Sequence, residues 1–133
     1  MILHGVSQES IEFVRSRLEE FIRTGDFHSE DFDEGFEFDN SNAMIDADTY
    51  RGPAGLREYF ALLRQMWEQF RFEPQEYIDA ANGHVVVPMR LIAVGRDGVE
   101  TVAHSAVVYT VRDGKLARAK AFQSKGDALK ADR

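Results

Sequence analysis

The feature that most constrains this chain is a change in the spacing of its apolar residues near residue 72. Before that point apolar side chains recur at helical spacing, and after it they alternate, which is typical of strands. Three turn signals follow in order: Asn82-Gly83, Asp97-Gly98 and Asp113-Gly114. Such dipeptides favour tight hairpin turns because they adopt positive φ angles at low cost. The sequence therefore predicts helices followed by an antiparallel meander, an α+β architecture.

The turn signals divide the second half of the chain into four predicted strands. They span residues 72–80, 84–94, 99–111 and 115–123, and a short helical tail follows from Ser124. Strands usually run about five or six residues, and long twisted strands in a small sheet must coil. We therefore expect a curved sheet with a concave face.

Two amphipathic helices are predicted in the first half. Ser7 is a suitable N-cap for the first helix, and Gly25 is a suitable stop. The second helix opens at residues 52–55, where a proline stands in the first turn, and its apolar stripe ends near Phe72. Alternating apolar and acidic residues predict a short strand over residues 36–39 between the helices.

Alternation along the last strands predicts which side chains face the concave side. On the final strand these are Ala117, Ala119, Ala121 and Gln123. The alanines either let a helix approach closely or leave room for a ligand. The outward positions Val86, Ile92, Val108 and Phe122 are also apolar. We expect a second subunit to cover this convex face, which predicts a homodimer.

Composition narrows the classes of function. A chain of 133 residues fits one domain, residues 1–133, and it has no apolar run long enough to span a bilayer. A net charge of −7 disfavours nucleic acid as a partner. With no cysteine, no histidine pair at ligand spacing and no dinucleotide or phosphate loop, we expect neither a metal nor a cofactor. No secretory signal is visible, so the expected location is cytoplasmic.

Several segments together are similar to a known family. They are Thr24-Gly25-Asp26-Phe27, Phe38-Asp39, and residues 50–60, 72–80 and 108–115. In this order they resemble SnoaL-like proteins, polyketide cyclase-like members of a group that includes ketosteroid isomerases and nuclear transport factor 2. The resemblance implies a cone-shaped α+β barrel, with a curved antiparallel sheet wrapped around N-terminal helices, and usually a dimer.

The resemblance carries over one functional residue and loses two. Asp39 matches the strand position that holds the general base of ketosteroid isomerases, a carboxylate at the mouth of an apolar pocket. The oxyanion-holding tyrosine of that family appears here as Leu18, and its protonated aspartate appears as Val107. Both positions are predicted to contact the ligand as part of the pocket lining. Both departures argue against steroid isomerisation, since an enolate would lack its preorganised hydrogen bonds.

Other candidate residues come from the predicted inward register. Tyr109 faces inward, so its hydroxyl either donates to a substrate oxygen or is a core tyrosine bonded to backbone. Gln123 has the same two interpretations, a polar group that contacts a substrate or an ordinary structural residue. The apolar walls of the pocket are predicted to include Phe60, Trp67, Met89 and Leu91, which are otherwise ordinary core residues.

Two hypotheses of different classes follow. In the first, the chain binds a small lipophilic molecule in an apolar cone, and acid–base isomerisation, cyclisation or hydration through Asp39, without a cofactor, stays open. In the second, it is a non-catalytic dimeric binding or interaction module whose cone is filled by its own side chains. A cavity with room for a ligand and the Asp39 carboxylate turned into it would favour the first hypothesis, whereas a filled cone, or Asp39 in bulk solvent, would favour the second.

Overall fold

The computed structural model describes residues 2–42 and 49–131, with side chains for residues 8–41 and 49–130. The helices are α1 (Ile2–Thr24), α2 (Gly52–Met66) and α3 (Lys125–Ala131), with a 3-10 turn at Ser29–Asp31. The strands are β1 (Phe32–Asn42), β2 (Thr49–Arg51), β3 (Gln69–Pro74), β4 (Ile78–Asp79), β5 (His84–Val94), β6 (Glu100–Arg112) and β7 (Lys115–Phe122). No helix in this part of the chain is long and apolar enough to cross a membrane.

The described strands form one curved sheet in the order β2-β1-β7-β6-β5-β3, with β4 also paired to β5. All pairs are antiparallel except β1 and β7, which run parallel. The expected α+β fold, a sheet wrapped around N-terminal helices, is confirmed. The parallel pair was not predicted, because β1 and β7 lie far apart in sequence and no turn signal joins them.

The predicted meander is confirmed, with one interruption. Strand β5 spans the residues expected for it, and the bounds of β6 and β7 differ from the expected ones by one residue. The expected strand over residues 72–80 is split into β3 and β4, which pair with successive parts of β5. Both central residues of the Asp113-Gly114 turn have positive φ, 53° and 74°, as a two-residue hairpin requires.

Pro88 lies opposite the break between β3 and β4. Its carbonyl accepts a hydrogen bond of 2.8 Å from the N–H of Gln75. The nitrogen and carbonyl of one strand residue point to the same side, so the missing donor of Pro88 also faces the break. The proline is accommodated because no regular ladder continues there.

Helix α2 ends earlier than its apolar stripe suggested. Trp67 is extended (φ −127°, ψ 142°), and the N–H of Glu68 already bonds to the carbonyl of Val94 in the sheet. Phe70 and Phe72 therefore belong to β3. The sequence pattern did not reveal this boundary. Phe70 continues the helical spacing of the apolar stripe, but Phe70 and Phe72 are two positions apart and so also fit the alternation of a strand.

Two groups of buried side chains lie on the two faces of the sheet. The inner cluster lies on the concave side and includes Val14, Phe36, Phe38, Met89 and Val107. The outer cluster consists of Val86, Ala106, Val108, Phe122 and Ala128. Because Ala128 belongs to α3, the chain's own last helix covers this part of the convex face.

The outer cluster changes the basis of the dimer prediction. All four outward apolar residues that seemed to need a partner subunit are buried within the chain: Val86, Ile92, Val108 and Phe122. Their burial requires no second copy. The homodimer stays a prediction, but the apolar residues on the convex face no longer support it.

Candidate functional site

The inner face of the sheet and the helices line a partly open cavity of about 150 Å³. Its apolar lining comes from α1, the segment after α1, β1, α2 and the strands β3, β5, β6 and β7. Val107 and Tyr109 project from β6, and Ala119 and Ala121 from the adjacent strand β7. The curvature of the sheet therefore brings side chains that are distant in sequence to one hollow.

Five of the nine predicted site residues line this cavity: Leu18, Phe60, Met89, Val107 and Tyr109. Leu18 comes from α1 and Phe60 from α2, and the others come from β5 and β6. Alternation of strand residues and the helical stripes had indicated the directions of these side chains correctly. Their roles in binding or catalysis stay predictions.

The other four predicted site residues do not line the cavity. Trp67 follows the end of α2 and borders a shallow surface depression beside the β5–β6 turn. Leu91 lies further along β5 than Met89, opposite the exposed residue Ala103. Gln123 is exposed, one residue beyond the end of β7.

Asp39 is the fourth, and its carboxylate is held on the other side of β1. Its Oδ1 atom accepts hydrogen bonds from the hydroxyl (2.6 Å) and the backbone N–H (3.0 Å) of Ser41. Its Oδ2 atom lies 3.6 Å from Nη2 of Arg118. The Ser41 hydroxyl, together with the charges of Lys120 and Arg118, lowers the pKa of Asp39 despite partial burial. A carboxylate with a lowered pKa is a weak proton acceptor.

Asn40, the next residue, does line the cavity. It is 4% exposed and follows Phe36 and Phe38 on the inward register of β1. Asn40 was not predicted as a site residue, because the family resemblance points to the acid at position 39. The alternation of the phenylalanines is the signal that would have indicated Asn40.

A β-bulge in β7 changes which residues of this strand point toward the cavity. The pairing of β6 with β7 shifts between Thr110 and Val111, so that Leu116 lines the cavity and Ala117 does not. Beyond the bulge, Ala119 and Ala121 follow the expected inward register. One extra residue in a strand reverses the alternation, and nothing in the local sequence signals it.

The walls of the cavity are unusually aromatic. The ring of Phe60 lies 4.7 Å from that of Phe21 and 6.0 Å from that of Phe72, measured between centroids. The ring of Tyr59 lies 5.0 Å from that of Phe38 in an edge-to-face arrangement. Such contacts add to the stability that burial provides. The rings therefore form a connected wall around an apolar space.

Three hydroxyl groups in the lining have no hydrogen-bond partner in the described part of the chain: those of Tyr59, Tyr109 and Ser105. Burial raises the pKa of Tyr59 to about 12, and it raises that of Tyr109 further. Both phenols therefore stay protonated at neutral pH. They can donate hydrogen bonds to an oxygen of a bound molecule.

The charged residues of the lining form a rim where α1 meets the segment of residues 26–31. Arg17 Nε lies 2.8 Å from Asp31 Oδ2, and His28 Nε2 lies 2.7 Å from Glu20 Oε1. The bond to Glu20 raises the pKa of His28. No sequence signal indicates these pairs, because a single histidine in a loop reveals no partner. The described residues contain no group of three His, Cys, Asp or Glu suited to a metal ion.

Comparison with solved structures shows the same fold in proteins of low sequence identity. TerC, crystallised with polyporic acid, has a TM-score of 0.73 at 20% identity, over 93% of this chain and 98% of that chain. A putative SnoaL-like polyketide cyclase from Jannaschia sp. has a TM-score of 0.66 at 16% identity, over 94% of this chain and 91% of that chain.

A third structure is a protein with a ketosteroid isomerase-like fold from Catenulispora acidiphila, in complex with trimethylamine. Its TM-score is 0.61 at 12% identity, over 73% of this chain and 72% of that chain. No curated protein matches the sequence. At these identities the likeness establishes the fold, since one fold hosts many functions.

The chain has the α+β fold of the nuclear transport factor 2-like and ketosteroid isomerase-like proteins, with a hollow on the concave side of the sheet. Residues 15–119 match the family model of the SnoaL-like domain. This match spans most of the 133 residues. The chain therefore belongs to the SnoaL-like family.

Proposed function

We propose that this protein binds a small, uncharged, lipophilic molecule in the cavity, with Tyr109 donating a hydrogen bond to an oxygen of that molecule. The observation that carries the proposal is an aromatic hollow of about 150 Å³ containing hydroxyl groups without partners in the described chain. Binding pockets typically combine apolar walls with a few polar groups that orient the ligand.

The charge distribution supports an uncharged ligand. The charged lining residues, Arg17, Glu20, Asp26, His28 and Asp31, all lie at the rim. The lining that comes from α2 and the strands has apolar side chains and neutral polar ones such as Tyr109, Ser105 and Asn40. An ionised group placed there would lose its hydration without gaining a counter-ion.

Two proteins of this fold support the proposal by analogy. TerC was crystallised with polyporic acid, and the protein from Catenulispora acidiphila with trimethylamine. Both were therefore obtained with small molecules, which is consistent with ligand binding as a use of the fold. The identity of the ligand does not transfer.

Catalysis through Asp39, as an isomerase, cyclase or hydratase, stays a prediction. The carboxylate bonds to Ser41 and lies outside the cavity lining, so binding without catalysis is better supported. A proton transfer would require the carboxylate to leave Ser41 and reach the substrate. Tyr109 is better placed, as a hydrogen-bond donor.

Thermal unfolding in the presence of acetophenone, a neutral aromatic ketone, tests the proposal. A ligand present at about 100 times its Kd stabilises the folded protein by about 2.7 kcal/mol, so a clear rise in Tm is expected. Tyr109→Phe removes one hydrogen bond and should weaken binding roughly 2- to 10-fold.

Tyr77→Phe is the matched control, because Tyr77 packs against the inner cluster without lining the cavity. This variant should bind acetophenone as the wild type does. Equal binding by Tyr109→Phe and the wild type would remove Tyr109 from the proposal. If neither acetophenone nor related neutral aromatics raise the Tm of the wild type, the binding function itself is wrong.

The oligomeric state is a separate question. The homodimer is predicted from the family resemblance and stays a proposal. Light scattering at micromolar concentration measures it directly, with twice the monomer mass as the expected result. A monomer mass would contradict the dimer without affecting the cavity.

A further inference from the structure

We propose that the ligand is a single-ring compound with one oxygen-bearing substituent, and that Ala119 and Ala121 set this size limit. The inference deepens the proposed function and rests on it, because both concern the same cavity. The binding proposal sets no maximum number of rings and names no residues that determine such a maximum.

The volume of the cavity gives the size limit. An engineered protein cavity of about the same volume, lined by aliphatic and aromatic side chains, binds benzene. A volume of about 150 Å³ therefore accommodates one six-membered ring with a short substituent. Protein interiors are close-packed, so a fused skeleton of three rings would have to displace the walls.

The space exists because two side chains on β7 are small. Ala119 is 3% exposed and Ala121 is 4% exposed, and both line the cavity. On the adjacent strand β6 their partners are Tyr109 and Val107, which are larger. Two methyl groups beside larger neighbours leave a hollow in the floor of the cone.

The helices do not fill this hollow. Helix α2 packs mainly on β1 and β2, whereas α1 contacts β4, β5 and β6. The sequence left open whether the alanines admit a helix or a ligand. In the structure they border empty space.

The part of the wall that comes from α2 is braced by other rings, which makes the limit firm. Phe60 faces the cavity from α2, and its ring contacts those of Phe21 on α1 and Phe72 on β3. Moving Phe60 outward would disturb rings on two other elements. A larger ligand therefore could not be accommodated by rotation of one side chain.

The substituent is inferred from the hydroxyl groups. Tyr109 and Ser105 project from the same face of β6, and Tyr59 projects from α2. These donors suit a ketone, ester or phenolic oxygen, whereas an unsubstituted hydrocarbon ring would leave them unsatisfied.

A series of ketones with the same acetyl group tests the size limit: acetophenone, 2-acetonaphthone and 9-acetylanthracene, with one, two and three rings. Affinity for an ordinary apolar surface increases with ring number, because more apolar area is buried. We expect the reverse order here. Acetophenone should bind, and the three-ring ketone should bind at least 10-fold more weakly by isothermal titration calorimetry.

Variants test the two alanines. Ala121→Leu should weaken acetophenone binding at least 10-fold while leaving the Tm of the free protein unchanged or higher, because filling a cavity adds contacts. Ala103→Leu is the matched control, since Ala103 is exposed on β6 and lies outside the cavity. The control should bind acetophenone as the wild type does.

The smaller change Ala121→Val provides a second test if Ala121→Leu does not fold, with an intermediate loss of binding expected. Binding of the two-ring or three-ring ketone as tightly as acetophenone, or undiminished acetophenone binding by a folded Ala121 variant, would overturn the size inference and leave the proposed function standing. Failure of all three ketones to bind the wild type would instead overturn the proposed function.

Discussion

Asp39 and Asn40 show how strand register decides which polar side chain can reach a ligand. The two residues are adjacent on β1, yet Asn40 lines the cavity and Asp39 bonds to Ser41 outside the lining. Family resemblance selects a residue by its type at an aligned position. Alternation with Phe36 and Phe38 instead predicts which side chain points toward the cavity. In β1 this prediction of side-chain direction is correct, whereas the aligned position is not the one that lines the cavity.

The acid dependence of stability tests the environment of Asp39. Its pKa lies below the ordinary value of 3.8, so its ionised form stabilises the fold above that pH, and the contribution disappears as pH falls through the lowered pKa. We expect Asp39→Asn to cost on the order of 1 kcal/mol at pH 7, from weakened bonds to Ser41. Thermal unfolding should show the difference shrinking toward pH 2.

The control for this experiment is ligand binding. Asp39→Asn should bind acetophenone as the wild type does, because the carboxylate lies outside the cavity lining. A large loss of binding would show that the carboxylate faces the ligand, and a stability difference that grows in acid would contradict the lowered pKa of Asp39.

The pair of His28 and Glu20 at the rim also stabilises the fold, but its contribution depends on pH in the opposite direction. The pKa of His28 lies above its ordinary value of 6.5, so the protonated form is the stabilising one. This contribution is fully present below pH 6.5 and is lost as pH rises through the raised pKa. His28→Gln should therefore lower the Tm more at pH 5.5 than at pH 8.5.

Glu20→Gln should reproduce the pH pattern of His28→Gln, because either change removes the pair. Adding the second change to the first should have little further effect. A pH-independent difference in Tm would show that the bond of 2.7 Å does not hold His28 in solution.

At the scale of elements, local turn chemistry was sufficient to predict the hairpins, whereas distant pairings were not predictable. Strand β5 begins after Gly83 as expected, because the residues of that turn require positive φ. The parallel pairing of β1 with β7 depends on two segments about 80 residues apart in sequence. The β-bulge near Ala117 is likewise a property of the assembled sheet.

Two glycines test the turn argument. A Cβ atom at Gly83 would lie 2.4 Å from the carbonyl oxygen of Val111, whereas one at Gly98 would meet no atom within 4 Å. Both have φ near +80°, so an alanine is strained at either position. We expect Gly98→Ala to cost about 1 kcal/mol and Gly83→Ala roughly 3 kcal/mol in urea unfolding. Equal costs would contradict the close packing of this turn against β6.

At the scale of the whole molecule, the curved sheet separates a packed convex face from a concave face that contains a cavity. Helix α3 packs on the convex face and completes the outer cluster, while the concave face retains a cavity bordered by aromatic rings. An apolar hollow was predicted from the sequence, and five of the nine predicted site residues line it, since periodicity gives the direction of side chains within an element. The sequence pattern did not predict the ends of α2 and β7, which decide the positions of Trp67 and Gln123.

The central claim is that this hollow holds a small neutral ring, and a crystal structure of the protein with acetophenone tests it most directly. We predict electron density for the ring between Ala121 and Phe60, with the ketone oxygen within hydrogen-bond distance of the Tyr109 hydroxyl. Acetophenone bound elsewhere, with the space above Ala119 and Ala121 filled by the protein's own side chains, would contradict the account.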